Sequence, residues 1–125
     1  MLIGLTRLTG RFARQQRLTQ ASEFKKVFAD PCARLGDANM LLLGRKNPHK
    51  TARLGLAVAK KQLKRAVARN RFKRLTRESF RHHLDIIKDL DIVVVARAGA
   101  EQKSNRELLE ILSKNWQILV KKCEK

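Results

Sequence analysis

The chain has 125 residues, 43% of them hydrophobic, and 29 Lys and Arg against 11 Asp and Glu, for a formal net charge of +18. That length suits one domain with one modest core, and the apolar content excludes a wholly disordered basic tail. The charge excess points to a polyanion, with nucleic acid ahead of an anionic membrane surface, because neutralising phosphates releases counterions.

Residues 1–22 contain no acid, and Arg7, Arg11, Arg14 and Arg17 recur every three or four positions. The composition is that of a transit peptide, but the rest of the chain is equally basic. The reading preferred is therefore a basic arm over 1–17 that orders on RNA. A helix is expected over 19–29, capped by Thr19 or Ser22, with Glu23 in its first turn and Asp30-Pro31 ending it. Phe24, Val27 and Phe28 make its apolar face. The two phenylalanines read either as core or as partly exposed rings that stack on single-stranded bases.

Residues 38–46 read as a strand, Asn47-Pro48-His49-Lys50 as a turn and 53–60 as a second strand, which suggests an antiparallel hairpin. Leu54, Leu56 and Val58 alternate with Gly55, Ala57 and Ala59. One face is therefore bulky, and the other is open to close approach. A cationic loop over 60–65 leads into a helix over about 66–84. On it Asn70, Arg74, Arg77 and Arg81 share one face and Arg69, Lys73 and Arg77 an adjacent stripe, while Ala68, Phe72, Leu75 and Ser79 point inward. Arginine suits phosphate because its planar fork donates two bonds at once.

Leu90–Ala96 is a β-branched run fit for a central strand. Ser104, with Glu107 completing a capping box, opens a helix over about 105–122. Its buried stripe includes Leu108 or Leu109, Leu112, Trp116 and Leu119. The order is α-β-β-α-β-α, a single α+β sandwich with a small sheet, one face covered by helices and the other partly open. Residues 18–122 form the domain and 123–125 a short tail.

The eleven acids are scattered, and His82-His83 reads as a helix-end pair meeting carbonyls, so neither a metal-binding carboxylate cluster nor an acid–base pair is visible. Cys32 and Cys123 lack metal-ligand spacing and read as free thiols in a reducing cytosol. No apolar run is long enough to span a bilayer. A binding protein is favoured over a self-sufficient nuclease, and a basic ribosomal or assembly protein is the competing class.

The stretch Arg69-Asn70-Arg71-Phe72-Lys73-Arg74-Leu75-Thr76-Arg77-Glu78 resembles the RNR signature helix of the bacterial ribonuclease P protein component. The resemblance spans roughly 17–120. It takes in Leu18-Thr19 with Phe24 and Phe28, Arg53-Leu54-Gly55-Leu56-Ala57-Val58-Ala59-Lys60-Lys61, and Asp91–Arg97. It implies a cytoplasmic ribonucleoprotein endonuclease, with no protein oligomer required. In it a catalytic RNA with bound Mg2+ removes the 5′ leader of precursor tRNA, while the protein holds the leader between the first helix and the open sheet face. It also implies a left-handed βαβ crossover, against the usual handedness. Arg69, Asn70, Arg71, Lys73, Arg74 and Arg77 would then contact RNA. Phe24, Phe28, Met40, Leu42, Lys60 and Lys61 would line the leader cleft, with Leu42 standing where some members carry an aromatic residue. No catalytic or metal-ligating residue is implied in the protein.

Overall fold

The computed structural model describes residues 17–18, 20–48 and 51–124. The basic arm up to residue 16, Thr19, and His49 and Lys50 of the expected turn lie outside them. In chain order the elements are α1 (Ala21–Ala29), β1 (Ala33–Gly36), β2 (Met40–Lys46), β3 (Arg53–Ala57), α2 (Ala66–Arg81), α3 (Leu84–Ile87), β4 (Leu90–Ala96), a 3-10 helix (Ala98–Gln102) and α4 (Asn105–Cys123). The fold is α+β.

The sheet order is β1-β2-β4-β3. β4 is antiparallel to β2, with Leu42 opposite Val94, and parallel to β3, with Leu54 opposite Ile92. The expected hairpin between the second and third strands is therefore overturned: β4 lies between them. The turn at Asn47-Pro48 fits a hairpin locally, but the β-branched run Ile92–Val95, fully apolar, gains more by sitting centrally with a partner on each side. The strand β1, absent from the sequence reading, pairs antiparallel with β2 at the sheet edge. Four residues of mixed polarity, Ala-Arg-Leu-Gly, carry too little periodicity to announce a strand.

Two cores form on the two faces. Met40, Leu42, Leu54, Ile92, Val94 and Ala96 face α2 and α4, where they meet Phe72, Leu75, Phe80, Leu108, Leu112, Trp116 and Leu119. Trp116 is fully buried, donates from Nε1 to Ser79 Oγ at 2.8 Å and meets the Phe80 ring edge-on. The smaller core, Leu18, Val27, Leu43 and Val93, lies beneath α1.

Local signals explain the helix ends. Ser104 Oγ accepts from the Glu107 N–H at 3.1 Å, and Glu107 Oε1 accepts from the Ser104 N–H at 2.8 Å, the reciprocal box the sequence announces. At α1 the cap is Gln20, not Ser22: Gln20 and Glu23 form the box, and Ser22 falls inside the helix. The arginine-rich helix ends at Arg81 rather than 84. His83 is turned back so that Nδ1 donates to Ser79 O at 2.7 Å, and Ser113 Oγ donates to its Nε2 at 3.1 Å.

The expectation of two free thiols is also overturned. Cys32 and Cys123 are joined as a disulfide, 91 residues apart in sequence. α4 packs along β1 and β2, which brings its last residue, Cys123, beside the chain entering β1; nothing local in either cysteine's neighbourhood foreshadows that.

Candidate nucleic-acid interface

On the face beneath α1, the pairing of β2, β4 and β3 lays side chains in three rows. Arg45, Asp91 and Arg53 form the first, Leu43, Val93 and Gly55 the second, and Leu41, Val95 and Ala57 the third. The first row is ionic. Arg53 grips Asp91 with two bonds, 2.8 and 2.7 Å, and reaches Glu23 of α1 at 2.6 Å. Hydrogen bonding to Asp91, more than offsetting the opposing effect of burial and joined by Glu23, raises the Arg53 pKa above its ordinary value.

The second row is roofed by α1. Val27 is fully buried over it, and the Phe24 ring lies so close to Gly55 that a Cβ there would stand 2.6 Å from Phe24 Cζ. The small-residue face of β3 is therefore a seat for an aromatic ring. The third row is only half covered: Leu41, Val95 and Ala57 all keep partial exposure. Arg97 borders it, its guanidinium within reach of the Gly36 position beside Leu41 and donating to Asp37 O at 2.8 Å.

Phe28, one turn on from Phe24, is 47% exposed and shares a groove with Ala21, Phe24, Lys25 and Ala29. Lys60 and Lys61 are exposed in the loop after β3. Met40 and Leu42 are the exception among the expected cleft residues. Both are fully buried in the core beneath α2 and α4, on the other side of the sheet. Side chains alternate along a strand, so the open face takes their neighbours Leu41 and Leu43 instead. The apolar run Met40–Leu43 could not show which register faced which way. Leu41, Val95, Arg53 and Arg97 are residues of this face to which the sequence reading gave no part in the cleft, whereas Ala57 belongs to the small-residue face it marked as open to close approach.

α2 lies against the opposite face, and its basic side chains divide by use. Asn70 and Arg74 are exposed, whereas Lys73, Arg77 and Arg81 are half-buried. Arg69 donates from Nη1 to the carbonyls of Leu63 and Lys64, at 3.0 and 2.8 Å, and so fastens the preceding loop. Arg71 donates from Nη2 to the carbonyls of Ala100 and Lys103 and ties down the 3-10 helix. Each keeps further N–H groups for a phosphate. Arg77 has a lowered pKa, first from burial and then from the proximity of Arg17. Arg17 runs beside the outer edge of β3, bridging Leu54, while Leu18 N donates to Leu54 O at 3.0 Å. The cationic surface thus passes around the β3 edge and links α2 to the α1 side.

This arrangement offers phosphate donors and aromatic or apolar surface, the two things a single-stranded nucleic acid takes. Among the described residues no group of three His, Cys, Asp or Glu side chains converges as a metal site. No described helix is long and apolar enough to cross a membrane.

Residues 12–120 match the sequence model of the Ribonuclease P family. The chain belongs to the ribonuclease P protein family. A ribonuclease P protein component of Pseudoalteromonas atlantica is 45% identical over 114 residues, covering 91% of this chain and 94% of the relative. That of a Marinomonas species is 46% identical over 114 residues, covering 91% and 86%. Among solved structures, the RNase P protein of Staphylococcus aureus superposes with a TM-score of 0.75 at 28% identity, covering 82% of this chain and 94% of that one. The Thermotoga maritima protein gives 0.64 at 31% identity, covering 78% and 96%. As a ribonuclease P protein, the chain is a subunit of the ribonucleoprotein endoribonuclease of tRNA 5′ processing and a partner of its RNA.

Proposed function

We propose that the two surfaces take two different RNAs. The α2 face, with Asn70 and Arg74 exposed, Lys73 and Arg77 half-buried and Arg69 and Arg71 alongside, docks the catalytic RNA. The face beside α1 holds the 5′ leader of precursor tRNA. The observation that carries this reading is the half-covered strip Leu41–Val95–Ala57 next to a seated Phe24 and an exposed Phe28. Such surface accepts unstacked bases with little sequence preference, each stacked ring contributing on the order of 1–3 kcal/mol. Lys60, Lys61 and Arg97 supply cations for the leader backbone. Met40 and Leu42 support this face from beneath and take no direct part.

The described residues are a poor cage for Mg2+, being cationic where RNA would lie and without converging carboxylates. Magnesium belongs in this reading to the RNA, and the protein's part is to bind, orient and neutralise. The place of action is the cytoplasm, and the basic arm over 1–17 is a further contributor to RNA binding. The test is reconstitution with the catalytic RNA at limiting magnesium. The protein should stimulate leader cleavage, and Phe28→Ala should weaken binding of leader-bearing precursor more than of mature tRNA. No stimulation at any magnesium concentration, or equal losses on both RNAs, refutes the reading.

A further inference from the structure

α1 is nine residues long, too short to be stable alone, so its place on the sheet is set by what it touches. Val27 is its only fully buried residue, and apolar contact is not directional. Phe24 rests on Gly55 through its ring, again an apolar contact. A further tie among the described residues is of a different kind. Arg53 is fixed to the sheet by its fork on Asp91, the residue directly beside it in the β3–β4 register. The Asp91 carboxylate is itself held by Asn47 Nδ2 at 2.7 Å, and that amide also donates to Thr51 O at 3.0 Å. This leaves Arg53 Nη1 to reach Glu23 Oε2 at 2.6 Å. Glu23 in turn accepts at Oε1 from the Gln20 N–H at 3.4 Å, which connects the ion pair to the helix cap. Both side chains are shielded, with 17% and 24% exposure, so solvent screens the contact less than an open surface pair.

We infer that the relay Asn47–Asp91–Arg53–Glu23 is the positioning device of the leader cleft: it sets the rotation and slide of α1 and thereby where the Phe24 and Phe28 rings stand over the sheet. This rests on the leader reading of that face. Arg53 and Glu23 are positioning residues. Three of the five Arg53 N–H donors are spent on Asp91 and Glu23, and the side chain is only 17% exposed, so the guanidinium acts chiefly through α1. Glu23 is an anion beside a site for a polyanion, tolerated because Arg53 neutralises it. Removing its charge would strengthen RNA binding if net charge governed affinity, and weaken leader binding if position does. The two accounts differ in sign.

The experiment uses the reconstituted holoenzyme with precursors of graded leader length and with mature tRNA. Glu23→Gln keeps the size and the capping oxygen but loses the ion pair. It should raise the KM for long-leader precursor about three- to tenfold, the effect of losing one shielded charge contact. It should leave kcat and mature-tRNA binding unchanged. Arg53→Lys, which can satisfy Asp91 or Glu23 but not both, should show the same leader-specific loss. In a background lacking both rings, Phe24→Ala with Phe28→Ala, Glu23→Gln should add little, because there is no ring left to misplace. Losses that multiply independently, or that fall equally on leader-bearing and mature RNA, overturn the relay as a positioning device. So does tighter leader binding by Glu23→Gln. If Phe28→Ala reduces leader affinity and Glu23→Gln does not, the relay falls while the leader cleft stands. If Phe28→Ala has no leader-specific effect, both fall.

Discussion

Replacing Gly55 with alanine puts a methyl group where the Phe24 ring now sits. The new Cβ would lie 2.6 Å from Phe24 Cζ, 2.9 Å from Cε1 and 3.2 Å from Leu18 Cβ. Ordinary carbon contacts are about 3.5–4.0 Å, so something must withdraw by about 1 Å. Leu18 is held by its backbone bond to Leu54, so the ring of Phe24 is what moves. Overpacking of this kind costs about 1–3 kcal/mol. Against it stands a gain of about 0.4–1 kcal/mol from restricting the unfolded chain, available because Gly55 does not use a positive φ. The net is a loss of roughly 0.5–2 kcal/mol, a fall in Tm of roughly 2–8 °C for a domain of this size. Thermal unfolding followed by the fluorescence of the single tryptophan, Trp116, reads it. Leader-bearing precursor should also bind more weakly while mature tRNA does not. A Tm that rises, with leader affinity unchanged, would refute the idea that β3 uses its small residues to seat Phe24.

Arg74→Ala should change stability by less than about 0.5 kcal/mol, since the side chain is exposed, and reduce the salt dependence of RNA binding by roughly one unit of slope. Arg71→Ala should in addition destabilise the fold by about 1–3 kcal/mol, because it removes a charged donor from the Lys103 carbonyl and from the Ala100 carbonyl, which keeps the Lys103 N–H; urea unfolding separates the two variants. Glu107 has a pKa lowered by its backbone and side-chain bonds to Ser104. A depressed carboxyl pKa gives stability that is present above the unfolded value near about 4.3 and is lost as pH falls through the folded one. The Tm difference between the parent and Glu107→Gln should therefore be seen at neutral pH and vanish in acid. Opening the Cys32–Cys123 disulfide with a thiol reductant should lower stability by up to about 4–5 kcal/mol, the chain-entropy value for a loop closed across 91 residues. Denaturation with and without reductant checks it, and identical midpoints would show that the bond contributes nothing.

The sequence by itself settled much of what depends on local periodicity, though the strand read over 53–60 ends at Ala57. The inward stripe of α2, Ala68, Phe72, Leu75 and Ser79, is buried as its spacing requires, and the Ser104–Glu107 box opens α4. The apolar run of β4 is central, and Gly55 of β3 faces a close neighbour. The ordered motifs named the family by resemblance, whereas the arginine-crowded helix by itself points only to a polyanion. Tertiary structure alone decided which strands pair, because β2 and β3 each gain more from β4 than from one another. It alone decided the register of Met40–Leu43: four consecutive apolar residues carry no alternation, and only the covering of one face by α2 and α4 sends Met40 and Leu42 inward and leaves Leu41 at the cleft. The joining of Cys32 to Cys123 and the grip of Arg53 on Glu23 and Asp91 belong to the same class. Each links residues far apart along the chain, and only the folded sheet, by bringing its edge to α4 and its first row beneath α1, places them within bonding distance.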